Sequence, residues 1–185
     1  MTTTNNYSQA TSKFVGKSAI PKVRGAFRIN TAYKNFDLTA QFGYSLGGYA
    51  TDAGYQRLMA NDGSIGADNW HVDMRDRWKQ PGDITNVPRL SAAFNVNDNN
   101  VASTSTRFLV KSDYLSLNKV RLGFNIPERF TSKLRLTKFN LYVSGDNLMV
   151  LSARKGFNPT TFTSVSNSGI YMPMTTFSFG TKIEF

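Results

Sequence analysis

The sequence predicts an all-β fold, namely an antiparallel transmembrane β-barrel segment with long extracellular loops. Three observations predict it. Apolar and polar residues alternate with period two over several long segments. The connections between these segments are either very short or very long. Aromatic residues reach 13% of the 185 residues, whereas charged residues reach only 18%. Because neighbouring side chains of a strand point to opposite faces, each segment would have one apolar and one polar face.

The clearest segments form a predicted hairpin over residues 24–48. Residues 36–48 place Phe36, Leu38 and Phe42 on one face, with polar or small residues between them. Residues 24–34 alternate in the same way, and the two-residue turn Lys34–Asn35 joins the strands. Residues 1–23 are then the end of an extracellular loop that leads into the barrel.

Three more barrel strands are predicted in residues 114–185, near 114–126, 135–147 and 173–185. In the first, Val120, Leu122 and Phe124 keep the alternation. Leu115 and Leu117 break its parity, which predicts a β-bulge or a covered inner face near that end.

Residues 49–113 are predicted to form a long extracellular loop with short helices. Asp52 is placed to cap a helix over residues 53–60. A second helix is predicted over residues 69–79, in which Trp70, Met74 and Trp78 would form one stripe.

This second segment holds most of the candidate contact residues for a partner or a substrate. They are Trp70, His71, Asp73, Arg77, Trp78 and Arg89. The two indoles would stack on sugar rings or pack against a partner. The alternative is that they fix the loop helix to the barrel wall, which is the commoner role of aromatic stripes.

The composition argues against several other functions. The chain has no Cys and a single His, so we expect no disulfide, zinc finger, thiol nucleophile or histidine metal cluster, and no cofactor. Asp73 and Asp76 lie beside Arg75 and Arg77, which would keep both carboxylates ionised, so we do not expect an enzyme.

The net charge of +10, from 22 basic and 12 acidic residues, is spread along the chain, and we expect no nucleic-acid binding. The longest strictly apolar run, Leu148–Leu151, is far below the ~20 residues of a membrane-spanning helix.

The alternative fold is a soluble β-sandwich, which would make the protein a self-standing binding or adhesive domain. The long strands, and polar faces with few oppositely charged pairs, favour the barrel. Five strands cannot close a barrel that needs at least about eight, so we expect the chain to be part of a larger one.

Eight motifs in order resemble one family. They are Val15–Lys22, Tyr33–Leu38, Phe42–Gly48, Asn69–Trp78, Pro81–Arg89, Asp113–Phe124, Leu141–Leu148 and Lys155–Pro159. From about Tyr7 to Phe185, the chain resembles the C-terminal barrel segment of SusC/RagA-type TonB-linked outer membrane transporters, the TonB-dependent receptors. The final Phe185 resembles the assembly signal of outer membrane barrels.

The resemblance implies the last five strands of a barrel of about 22 strands. It implies as partners the remaining N-terminal strands and plug of the same transporter, a SusD-like surface lipoprotein, TonB through the N-terminal part, and outer membrane lipid. The implied function is import of glycans, oligosaccharides or peptides through the Gram-negative outer membrane. The sequence does not distinguish these substrates.

Overall fold

The computed structural model describes residues 9–59, 69–90, 105–154, 156–161 and 173–185. Its strands are β1 Val23–Tyr33, β2 Phe36–Leu46, β3 Tyr49–Thr51, β4 Leu109–Lys111, β5 Tyr114–Asn125, β6 Lys138–Ser152 and β7 Thr176–Glu184. Its α-helices are α1 Ala53–Leu58 and α2 Glu128–Thr131, and its 3₁₀ helices are Val72–Asp76, Thr106–Phe108, Ser132–Leu134 and Pro159–Thr161. Among these described residues, no helix is long and apolar enough to cross a membrane.

Five long strands form one antiparallel sheet in the order β1-β2-β5-β6-β7, and β3 pairs with β4 in a separate two-stranded sheet. The predicted strands are confirmed, with shifted ends. The fourth predicted strand, 135–147, was placed too early, because β6 begins at Lys138 and continues to Ser152. The described residues divide into two compact units: a sheet unit of residues 18–49, 111–154, 156–161 and 173–185, and a loop unit of residues 9–17, 50–59, 69–90 and 105–110.

The apolar face of the five-stranded sheet is uncovered. Phe36 is 50% exposed, Leu122 44%, Leu141 40% and Phe179 84%. The described residues contain no second sheet that covers this face, which contradicts the sandwich alternative. Side chains on it contact one another across strands instead, as in the pair Phe36 and Phe124, whose ring centroids lie 4.9 Å apart.

A β-bulge explains the broken parity in β5. Gln41 of β2 pairs with Lys119, but the next residue, Phe42, pairs with Leu117, so Asn118 is the extra residue. The bulge places Leu115 and Leu117 on the apolar face. Of the two predicted explanations, a β-bulge or a covered inner face, the β-bulge is therefore confirmed.

Three glycines lie beneath large side chains of their cross-strand partners. A Cβ at Gly25 in β1 would lie 2.8 Å from the Tyr44 hydroxyl, and one at Gly180 in β7 would lie 2.5 Å from the Tyr142 ring. A Cβ at Gly123 would overlap the Asp37 carboxylate. β1 and β7 are the outer strands of this sheet, and a tyrosine ring of the neighbouring strand covers a glycine on each of them. Such an arrangement fixes the register of the outer strands.

The loop unit has its own small hydrophobic core, formed by Met59, Met74, Val87 and Phe108. The predicted first helix is confirmed as α1, which ends at Leu58. Asp52 caps it, since its carboxylate accepts from the Tyr55 N–H at 3.0 Å.

The second predicted helix, over residues 69–79, is wrong. The structure has only the 3₁₀ helix Val72–Asp76, and Arg77 is extended with φ −61° and ψ 152°. The helix stops there because the Trp78 N–H donates to the Val87 carbonyl, 2.9 Å away, instead of to a helical carbonyl. Trp70, Met74 and Trp78 therefore do not form a helical stripe.

Candidate functional site

Two concave surfaces with polar lining residues lie in the described part of the chain, one in each unit. The first lies on the polar face of the five-stranded sheet and has a volume of about 850 Å³. Residues of β2, β5, β6 and β7 line it, because the alternation that turns apolar residues to one face turns polar residues to this one.

The centre of this polar face is a hydrogen-bonded network around Asp37. Its carboxylate pairs with the Arg121 guanidinium and accepts from the Asn140 amide at 2.9 Å. Arg121 also donates to the Asn140 side-chain oxygen at 2.5 Å, and the Asn140 amide donates to the Asn125 side-chain oxygen at 3.0 Å. Three neighbouring strands, β2, β5 and β6, are thereby linked by side chains as well as by backbone.

Two of the glycines described above, Gly123 and Gly180, make room for this network. Arg121 lies over the Tyr142 ring, with its guanidinium carbon 4.4 Å from the ring centroid. Tyr142 in turn lies against Gly180, and Asp37 against Gly123. Sequence reasoning missed these residues as a group, although each occupies a polar-face position of the alternation.

The polar face also carries more ion pairs than the sequence suggested. Lys119 pairs with Asp146 at 3.4 Å, and Lys182 pairs with Glu184 at 2.6 Å, in addition to Arg121 with Asp37. The expectation of few charged pairs is therefore wrong for this face. The proximity of Lys119 to Asp146 and of Arg121 to Asp37 depends on strand register, whereas Lys182 and Glu184 lie two residues apart on one face of β7.

In the loop unit, two of the predicted contact residues, His71 and Asp73, form a cluster with Tyr55. The Tyr55 hydroxyl donates to the Asp73 carboxylate at 2.8 Å, and the Asp73 N–H donates to Nδ1 of His71 at 3.2 Å. The Tyr55 and His71 rings meet edge to face at 4.8 Å. His71 thus caps the 3₁₀ helix through its side chain.

Two further predicted residues have packing roles. Trp70 is partly buried and packs against the hydrophobic core of the loop unit. Arg77 donates to the Met74 carbonyl at 3.3 Å, across the end of the same 3₁₀ helix.

The remaining two, Trp78 and Arg89, meet at the second concave surface, which we call the loop groove. Its volume is about 590 Å³. Trp78, Thr85, Asn86, Val87, Pro88, Arg89 and Arg107 line it. Arg107 is not among the residues predicted from the sequence, because it lies 18 positions from Arg89 in the chain and comes near it only through folding.

A tight turn beside the loop groove is stabilised by Asp83. Its carboxylate accepts from the backbone N–H of Lys79 at 2.8 Å and of Gln80 at 3.1 Å. These two hydrogen bonds lower the pKa of Asp83 from its ordinary value of 3.8. The described residues hold no cluster of three or more His, Asp or Glu side chains that could bind a metal.

The final predicted residue, Phe185, lies just beyond β7 and is 92% exposed. β7 is an outer strand of the five-stranded sheet, paired on one side with β6. The Phe185 ring is thus accessible to another molecule.

No protein-family model matches the chain. The chain is similar to two proteins of Formosa agariphila: "TonB-dependent receptor P3", at 30% identity over 96% of the chain, and "TonB-dependent receptor P39", at 23% identity over 83%. It spans 18% of the length of the first and 14% of the second.

The fold matches solved structures of the RagAB peptide importer and transporter. Over 92% of the chain and 18% of the solved chain, the TM-score is 0.77 for the 'closed-closed' state, 0.76 for the RagAB peptide transporter and 0.74 for the 'open-open' state, at 20–21% identity. The resemblance to SusC/RagA-type TonB-dependent receptors is therefore confirmed. Such receptors are outer membrane proteins of Gram-negative bacteria, and they are not enzymes.

Proposed function

We propose that the chain supplies five neighbouring strands of the wall of a TonB-dependent nutrient importer in the Gram-negative outer membrane. One observation carries this function. The same five strands leave one face apolar and uncovered and hold the other face polar and hydrogen-bonded.

The two faces fit two different solvents. Side chains such as Phe27, Leu122 and Phe179 are exposed on the apolar face. Contact of these side chains with lipid is favourable, as on the outside of a membrane barrel. The ion pairs of the opposite face are satisfied in a water-filled interior. Closure into a barrel of about 22 strands would also pair the free edges of β1 and β7.

The imported solute is an oligosaccharide or a peptide, and the receptor acts with a SusD-like surface lipoprotein that the loop unit contacts. The name of the solved RagAB importer supports the peptide, and the indole in the loop groove supports the saccharide. TonB acts through the N-terminal part of the receptor, Phe185 serves its assembly, and the chain catalyses no reaction.

Site-directed spin labelling of the protein in lipid vesicles tests this function. These 185 residues contain no Cys, so a single cysteine introduced among them reports one position once any Cys elsewhere in the receptor is replaced. We would label the neighbouring exposed positions Phe179→Cys and Ser178→Cys in β7, and Ile29→Cys and Asn30→Cys in β1.

We expect Phe179 and Ile29 labels to be relaxed by oxygen, which dissolves in lipid. The Ser178 and Asn30 labels should be relaxed by a water-soluble nickel chelate. Nickel accessibility at all four positions would contradict the membrane wall and favour a soluble binding domain.

A further inference from the structure

The loop groove is a basic, ring-lined surface. Arg89 and Arg107 line it together with Trp78 and Pro88, and among the residues that the structure describes no carboxylate lines it. We propose that the loop groove binds an anionic oligosaccharide, one that carries carboxylate or sulfate groups. This inference rests on the proposed function, because the groove meets an imported solute only if the loop unit faces the outside.

Arg107 is the anchor for the anionic group. Its guanidinium donates to the Asn86 carbonyl at 2.7 Å, which holds the guanidinium beside Asn86 in the groove. That hydrogen bond uses one of five N–H donors in the guanidinium. A planar fork of such donors matches the geometry of a carboxylate or a sulfate.

Trp78 is suited to the apolar face of a sugar ring. Its indole is only partly exposed, and its backbone N–H is fixed to the Val87 carbonyl at 2.9 Å. A flat ring held in place in this way offers contact area at little cost in conformational entropy.

The backbone beside Trp78 favours a saccharide over an extended peptide. The Val87 N–H donates to the Thr85 hydroxyl at 3.1 Å, and that hydroxyl donates to the Asp76 carbonyl at 2.6 Å. A peptide that binds as an added strand needs backbone groups to pair with. Here the Trp78 N–H, the Val87 N–H and carbonyl, and the Asn86 carbonyl already bond within the loop unit.

Calorimetric titration of the detergent-solubilised protein tests the inference with four probes. Two are anionic hexasaccharides, a galacturonate hexamer and a sulfated galactan hexamer. The third is a neutral galactose hexamer, and the fourth is a hexaglutamate peptide. We expect at least one anionic hexasaccharide to bind at least tenfold more tightly than the other two probes.

Variants then place the binding in the loop groove. We expect Arg107→Gln to weaken binding of the anionic hexasaccharide about tenfold or more, the effect of losing a charge-assisted hydrogen bond, and Arg107→Lys to restore part of it. Arg129→Gln, which removes one exposed charge in α2 of the sheet unit, should leave binding unchanged.

Three outcomes would overturn the inference: no binding of either anionic hexasaccharide at millimolar concentration, equal binding of the neutral hexamer, or tighter binding of hexaglutamate. An equal loss in Arg107→Gln and Arg129→Gln would remove the site from the loop groove. The spin-label accessibilities are unaffected by any of these results, so failure here is distinct from failure of the membrane wall.

Discussion

The Asp37 carboxylate forms an ion pair with the Arg121 guanidinium on the neighbouring strand, although 84 residues separate the two in the chain. Both side chains are less than a third exposed. The pair joins β2 of the first hairpin to β5, and Asn140 extends it to β6. The Asp37–Arg121 pair therefore joins neighbouring strands on the polar face, as apolar contacts join them on the opposite face.

Replacing Arg121 is expected to destabilise the sheet. Arg121→Leu would leave the Asp37 carboxylate partly buried without its counter-charge, at a cost of about 1–3 kcal/mol in the free energy of unfolding. Urea unfolding of the refolded protein in lipid vesicles measures this change in the free energy of unfolding. The control is Lys182→Gln, which breaks the more exposed Lys182–Glu184 pair and should cost under about 1 kcal/mol. Equal effects of the two variants would show that the network adds no stability.

A Cβ at Gly180 is expected to disturb Tyr142. Because it would lie 2.5 Å from the ring, Gly180→Ala should lower the free energy of unfolding by about 1–3 kcal/mol. In the double variant with Tyr142→Leu, part of that cost should disappear, and the double-mutant cycle measures the coupling. Ser178→Ala on the same face of β7 is the control. Strict additivity of the two substitutions would refute the contact.

The first helix of the loop unit is expected to depend on Asp52. Asp52→Ala removes the acceptor of the Tyr55 N–H and should destabilise α1 by about 1 kcal/mol. Hydrogen exchange of the Tyr55 amide reports the loss. Asp52→Asn keeps an acceptor and should exchange at nearly the original rate, so similar acceleration in both variants would argue against capping.

The turn at Asp83 is expected to loosen in acid. Its pKa is lowered in the folded protein by hydrogen bonds from Lys79 and Gln80, so the ionised carboxylate stabilises the turn. This stabilisation is fully present above the ordinary value of 3.8 and is lost as pH falls through the lower folded pKa.

Hydrogen-exchange protection of the Lys79 and Gln80 amides, corrected for intrinsic rates, should therefore be constant from pH 7 to pH 5 and fall below pH 4. In Asp83→Asn this acid-dependent step should be absent. A step of the same size in the variant would assign it to another group.

The isolated 185-residue chain is expected to need detergent or lipid. In water its apolar face would form one continuous patch, well above the roughly few hundred Å² that soluble monomers expose. The unpaired edges of β1 and β7 would recruit further chains. Sedimentation without detergent measures the association state of the chain. A compact folded monomer of 20.6 kDa would contradict the proposal that the sheet is part of a membrane wall.

The sheet could be predicted from the sequence because its signal is local. Alternation from Phe36 to Leu46 depends only on neighbouring residues. The parity break at Leu115 and Leu117 predicts a bulge or a covered inner face near that end of the strand, and the structure places a bulge at Asn118. The end of β6 could not be found in this way. Asn147 has φ +54°, which is typical of a turn, yet here it lies within a register irregularity and the strand continues to Ser152.

The candidate sites were harder to predict because their contacts are remote in the chain. Apolar spacing in residues 69–79 fits a helix, but a hydrogen bond from Trp78 to Val87 competes with it and prevails. The approach of Arg107 to Asn86, and of Arg121 to Asp37, depends on folding and strand register, which side-chain type alone does not reveal.

The connections between strands also bear on how the molecule folds and diverges. Two residues join β1 to β2, whereas 67 residues, from Gly47 to Asp113, separate β2 from β5. Closing the longer connection costs about 3 kcal/mol more in chain entropy, so the β1–β2 and β5–β6 hairpins should form before they join. That cost grows only with the logarithm of length, and adding ten residues to the long connection would raise it by only about 0.1 kcal/mol. Evolution can therefore lengthen or replace this connection while the rate and register of strand assembly stay nearly the same.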